Sequence, residues 1–255
     1  KKGLSDGGLG ERFSNGWGAA AHVPTILIEN HSLKPHEQRV LGTYVFMEEA
    51  MRLLASHGGD LRAATQSDLA LRPAEIPANF EAQDQPSSTR DFKGILYETY
   101  DSPASGRREI RWLGRADPET WRMPFYGSKP TLTLKRPAAY WVPGYRADII
   151  ERLKAHGIEM ETVNAPRVQG VSMLRLVEPR LETRPNEGHV PISVEAVEVE
   201  RRDWTWPTGS VRVPTDQPLG DIAVLLLEPQ SSESFFAWGL FPEVLSRGEI
   251  GRAHV

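Results

Sequence analysis

The stretch Pro24-Thr25-Ile26-Leu27-Ile28-Glu29-Asn30-His31-Ser32 constrains this chain more than any other. Apolar and β-branched residues run without interruption into a carboxylate, an amide and an imidazole. A run of this kind reads as a strand buried on both faces of an α/β sheet. Ligands of such sheets bind at the carboxyl ends of strands, which is where Glu29 falls. An ionised carboxylate in a dry site is costly unless a charge or a donor faces it. Glu29 is therefore the leading candidate for chemistry.

The flanking patterns give the expected organisation. Residues 1–23 are Gly-rich and polar and read as loop. Pro35 suits the first turn of a helix, in which Val40, Tyr44, Met47, Met51 and Leu54 recur as a core-facing stripe. His57-Gly58-Gly59 is the expected stop, and a second short helix covers Leu61 to Leu71 before Pro73. Residues 74–94 read as a linker or an irregular crossing. Beyond them the period changes. Residues 94–100 and 108–113 flank a turn as a hairpin, with further short strands at 131–135 and 140–142. A helix runs from Tyr145 to His156, closed by Gly157, and a strand covers 158–163. Residues 190–201 alternate Val194, Val197 and Val199 with Glu195, Glu198 and Glu200, and residues 222–227 form a second apolar strand. The boundaries are then 1–73, the linker 74–94, and a β-rich accessory domain at 95–248. Residues 249–255 match the in-frame translation of a common sequencing adapter and stay outside the fold argument.

Charge and composition narrow the function classes. Lys plus Arg is 30 against 34 for Asp plus Glu, a net charge of −4 spread along the chain. Nucleic acid and anionic membrane are poor partners for such a surface. No segment approaches the roughly 20 apolar residues of a membrane span. The absence of cysteine excludes disulfides and thiol catalysis.

Phe13-Ser14-Asn15-Gly16-Trp17-Gly18, followed by residues 24–35, resembles the zinc carboxypeptidases of peptidase family M14. Trp141-Val142-Pro143, residues 149–158, residues 214–220 and Leu227-Glu228-Pro229 look like the long β-rich C-terminal extension of one subgroup of that family. The resemblance runs over roughly residues 10–248. It implies an α/β class: the end of an α/β/α peptidase domain, truncated on its N-terminal side, followed by a mainly β accessory domain. It implies zinc-dependent hydrolysis of a peptide or amide bond by a metal-activated water, with Glu29 as general base. The family's zinc ligands, a His and a Glu in one motif and a later His, precede that Glu and are expected upstream. So is the family's substrate-side Tyr. Residues 1–28 contain no Tyr, and the indole of Trp17 lacks a phenolic hydroxyl. The isolated chain is then expected to be inactive, with zinc and a peptide or amino-acid amide substrate belonging to the full-length protein. Related enzymes are often exported, which makes a periplasmic or secreted location the expectation.

Other residues carry plainer alternatives. Glu29 could pair with a helix N-terminus or an arginine. His31 shares a strand face with Glu29 and is expected to orient it rather than bind metal. Arg12 and Arg39 could each grip a substrate carboxylate, and Arg12 is the substrate-binding candidate. His156-Gly157-Ile158-Glu159 has zinc-motif spacing but reads as a helix end with an imidazole at the dipole. His36-Glu37 and Glu48-Glu49 read as solvated. Trp204, Trp206, Phe235, Phe236, Trp238 and Phe241 suit a core better than a peptide or sugar platform. Two further functions fit the same residues: an amidohydrolase of the aspartoacylase kind, and a non-enzymatic β-rich binding module.

Overall fold

The computed structural model describes residues 3–6, 10–32 and 34–245, so residues 249–255 lie outside the described residues. Along the chain run β1 (Leu4–Ser5), α1 (Ser14–Ala20), α2 (His36–Leu69), β2 (Glu75–Ala82), β3 (Ser88–Asp101) and β4 (Arg108–Tyr126). Then follow β5 (Ser128–Lys135), β6 (Ala139–Val142), α3 (Ala147–Ala155), β7 (Glu161–Thr162), β8 (Arg167–Val177) and β9 (Arg180–Leu181). The last elements are β10 (Ile192–Ser193), β11 (Ala196–Trp206), β12 (Val211–Pro214), α4 (Gly220–Leu227) and a 3-10 turn at Pro242–Leu245. The chain is mixed α/β and divides into two compact units. One comprises Phe80–Pro130 with residues 1–8, the other Leu9–Asn79 with Thr131–Val255. The stretch 74–94, expected as a linker, is largely β2 and the start of β3.

The first unit is a long antiparallel ribbon. β3 pairs with β4 from Asp101↔Arg108 to Ser88↔Phe125, and β1 adds in parallel at Leu4↔Phe125. The expected hairpin is its distal end. The register shifts between Lys93 and Tyr97. There Gly94 leaves room for the ring of Trp121, which a Cβ would meet at 2.6 Å. Cross-strand aromatic pairs, Phe92 with Trp121 and Tyr97 with Trp112, stabilise the ribbon in place of a deep core.

The second unit holds the core. β12 lies between β6 and β7 in an antiparallel sheet, and β8 pairs with β11 over its full length. α3 buries Ile149 and Leu153. It ends where Gly157 adopts φ +79°, with the amides of Gly157 and Ile158 closing on the carbonyls of Lys154 and Leu153. At its start, Arg146 grips Asp148 through two hydrogen bonds of 3.0 Å, reaches Glu243 at 2.6 Å and stacks over Phe241. That guanidinium holds the Asp148 carboxyl below the usual carboxylate range.

Four expectations fail for physical reasons. Residues 222–227 are not a strand but α4, buried on all sides. A short apolar run cannot by itself distinguish a buried strand from a buried helix, and Arg136 paired with Asp221 anchors its first turn. Residues 14–20, expected as loop, form α1, because Trp17 and Ala20 pack on the core and the close approach of Thr25 requires Gly18. The helix does not stop at Gly58-Gly59; α2 runs on to Leu69 as one 34-residue helix.

The fourth failure concerns the opening stretch. Residues 23–30 form no strand, and Ile26 is 70% exposed. A doubly buried strand needs partners for its amides and carbonyls and cover on both faces. Here the Val23 amide reaches the Gly18 carbonyl at 2.8 Å, but no described strand pairs with the stretch and residues 23–29 stay exposed. The stripe on α2 is likewise bare: Tyr44 is 64% and Met51 63% exposed, and no residue of the helix is buried.

Candidate functional site

Glu29 ends the apolar stretch in an exposed position. Its neighbour Asn30 fixes that position against α2. The Asn30 amide donates to Thr43 Oγ1 at 2.7 Å and to the Arg39 carbonyl at 3.3 Å. Asn30 thus ties the end of this stretch to α2. His31 is exposed on the following turn, where its carbonyl accepts from the Lys34 amide at 3.1 Å. Neither Glu29 nor His31 lines a described cavity. Arg39 contributes its carbonyl, while its Nε is buried with no hydrogen-bond partner among the described residues.

Arg12 lies elsewhere, in a cleft of about 660 Å³ within the second unit. Its guanidinium pairs with Glu187 at 2.9 Å and Glu233 at 3.3 Å and stacks over Phe13 and Trp238. Two carboxylates therefore neutralise the cation expected to bind substrate. Glu29 is not among the residues that line this cleft.

Trp17 and His156 meet in the same cleft. The indole N–H donates to His156 Nδ1 at 3.1 Å, across 139 residues of chain. Burial holds the imidazole below its ordinary range, so it is neutral near pH 7 with its proton on Nε2. His156 is a helix-end acceptor, and the Glu159 amide donates to Gln217 Oε1 at 2.8 Å. His189 packs edge-on against Trp238. Beside them burial raises the Glu11 carboxyl above its usual range, and the charge of Glu233 adds to the shift. Spacing in sequence gives no signal for this cleft, because Glu11, His156, Glu187 and Glu233 come from four separate segments.

A second cavity of about 440 Å³ lies against β6 and β8. Trp141 stacks on the buried Trp206, and the Tyr140 hydroxyl donates to Glu228 at 2.6 Å. Burial raises the Glu228 carboxyl, partly offset by that hydrogen bond. A carboxyl whose folded pKa is raised keeps its proton after the unfolded chain has lost it. Stability therefore falls as pH rises from the ordinary value of 4.5 through the folded one. Glu228→Gln keeps an acceptor for Tyr140 and cannot ionise. The expected result is a shallower loss of Tm than in the wild type as pH rises above the ordinary carboxylate range. An unchanged slope would remove Glu228 as the cause.

Among the described residues no three His, Cys, Asp or Glu side chains converge as metal ligands, so the residues present do not fit a zinc centre. No described helix is long and apolar enough to cross a membrane.

Sequence comparison relates the chain to carboxypeptidases over part of its length. Carboxypeptidase 2 of Trichophyton rubrum is 33% identical over 115 residues, 45% of this chain and 21% of that protein. The proteins of the same name from Trichophyton tonsurans and Trichophyton equinum are 32% identical over the same shares. The chain spans about a fifth of the length of these curated relatives. No family model and no solved structure matches it.

Proposed function

We propose that this chain is part of a carboxypeptidase-like hydrolase acting on peptide or amino-acid amide substrates, with Glu29 as its general base. The observation that carries this reading is the 33% identity to Carboxypeptidase 2 over 115 residues. Residues 1–73 would form the end of an α/β peptidase domain, and the β-rich remainder an accessory domain. The bare apolar surface of residues 23–28 and of α2 supports that assignment, since large exposed apolar patches mark surfaces made to be covered. Zinc, if the enzyme uses it, would be held by residues outside those described.

The chemistry left to this chain is proton transfer. A carboxylate within reach of an attacking water takes its proton and later delivers it to the leaving amine. Asn30, tied to Thr43, would hold Glu29 in place during both transfers.

The test is hydrolysis by the full-length protein encoded around this chain. N-acyl dipeptides with free C-termini are expected to lose their terminal amino acid, whereas the chain alone releases nothing. Absence of release by the full-length protein overturns the reading. Cleavage confined to N-acyl amino acids overturns it in favour of an aspartoacylase-like amidohydrolase.

A further inference from the structure

The cleft around Arg12 carries more chemistry than a structural role requires. Its walls are apolar: Trp17, Leu225, Leu226, Phe235, Trp238 and Leu240. Most of its polar groups satisfy one another. Glu233 receives Arg12 on one oxygen and the Trp238 indole on the other, at 2.8 Å. Glu187 receives Arg12, and His156 receives Trp17. Arg152, at the rim, donates to the Asp148 carbonyl at 2.9 Å. His189 lies against Trp238.

Glu11 is the exception. Its carboxyl has no ion pair or side-chain hydrogen bond with another described residue, only a bond from its own backbone amide. The charge it feels from Glu233 has its own sign. Arg12 and Arg152 balance Glu187 and Glu233, which leaves Glu11 as the uncompensated charge of the cleft. A half-buried carboxylate of this kind is stabilised by a cation. A bare metal ion is a poor answer, because no third ligand converges there among the described residues. An organic ammonium has the donors for a carboxylate and an apolar body for the walls, and aromatic faces add attraction of their own. The volume suits a small organic ligand.

We propose that this cleft binds a primary organic amine, its ammonium facing Glu11 and its apolar body lying against Trp17, Phe235 and Trp238. The site is independent of the hydrolase reading, since Glu29 lines no part of it. A peptide N-terminus and a lysine side chain both present this chemistry.

Calorimetric titration of the chain with phenethylamine and its isostere phenethyl alcohol tests the proposal. The amine is expected to bind at least about tenfold more tightly, as one charge-assisted contact allows. In Glu11→Gln the two affinities should become equal. In nitrogen–proton correlation spectra of the wild type, phenethylamine should shift the indole signals of Trp17 and Trp238, a readout that needs no variant to fold. Phenylalaninamide compared with Nα-acetyllysinamide distinguishes the two sources, and tighter binding of either supports the site. Equal affinity for amine and alcohol in the wild type overturns the proposal. So does a preference that survives in Glu11→Gln, or amine binding that leaves both indoles unmoved.

Discussion

Replacing Glu29 by Gln in the full-length protein is expected to lower kcat by about 10²–10⁴-fold, the usual contribution of a positioned general base. KM should change little, because glutamine keeps the size and hydrogen-bonding reach of glutamate and loses only its basicity. The pH profile carries the sharper test. A base that must be deprotonated gives the acidic limb of kcat/KM, and removing it flattens that limb. Asn30→Ala offers a contrast. It leaves the carboxylate but removes the bond to Thr43, so a smaller fall in kcat is expected with the acidic limb retained. Near-normal turnover in Glu29→Gln eliminates the carboxylate from the mechanism and leaves the kinship to carboxypeptidases intact.

The largest effect on stability is expected at Phe236, which is 1% exposed within the core. Phe236→Ala should cost about 3–5 kcal/mol, combining lost burial with a cavity that the close-packed core cannot collapse to fill. Met51→Ala on α2 removes an apolar side chain of comparable chemistry from a 63% exposed position. Its cost should stay within about 0.5 kcal/mol. Urea unfolding followed by the fluorescence of the stacked Trp141 and Trp206 measures both. Comparable costs at the two positions would mean that something covers α2 in solution, such as a second copy of the chain.

The contrast between these two positions also explains what the sequence could reveal. Elements settled by local chemistry were legible. The hairpin flanking residues 101–106, the strand at Tyr140 and the helix closed by Gly157 all appear where turn residues and periodicity put them. The buried aromatics Trp206, Phe235, Phe236 and Phe241 join the core as their size predicts. Elements settled by neighbours were not. Residues 24–30 have the composition of a central strand, yet composition does not supply an adjacent strand, and the stretch lies exposed. Residues 222–227 are apolar in either conformation, and such a short apolar run does not by itself choose helix over strand. Gly58 and Gly59 signal a stop but do not enforce one, since each costs only about 1 kcal/mol in a helix interior. The candidate site divides the same way. Glu29 was visible as a carboxylate at the end of an apolar run, whereas the pairing of Arg12 with Glu187 and Glu233 spans more than a hundred residues and has no local signature.

One feature of α2 bears on handling the molecule. A helix of 34 residues reaches about 51 Å, and this one carries adjacent glycines in its C-terminal half with no side chain packed against them. Helices that lean on nothing fray and reopen from their weakest turn. A protease added sparingly should therefore nick the helix around Gly58-Gly59, with Arg52 and Arg62 as the nearest tryptic sites, before it cuts the buried core of the second unit.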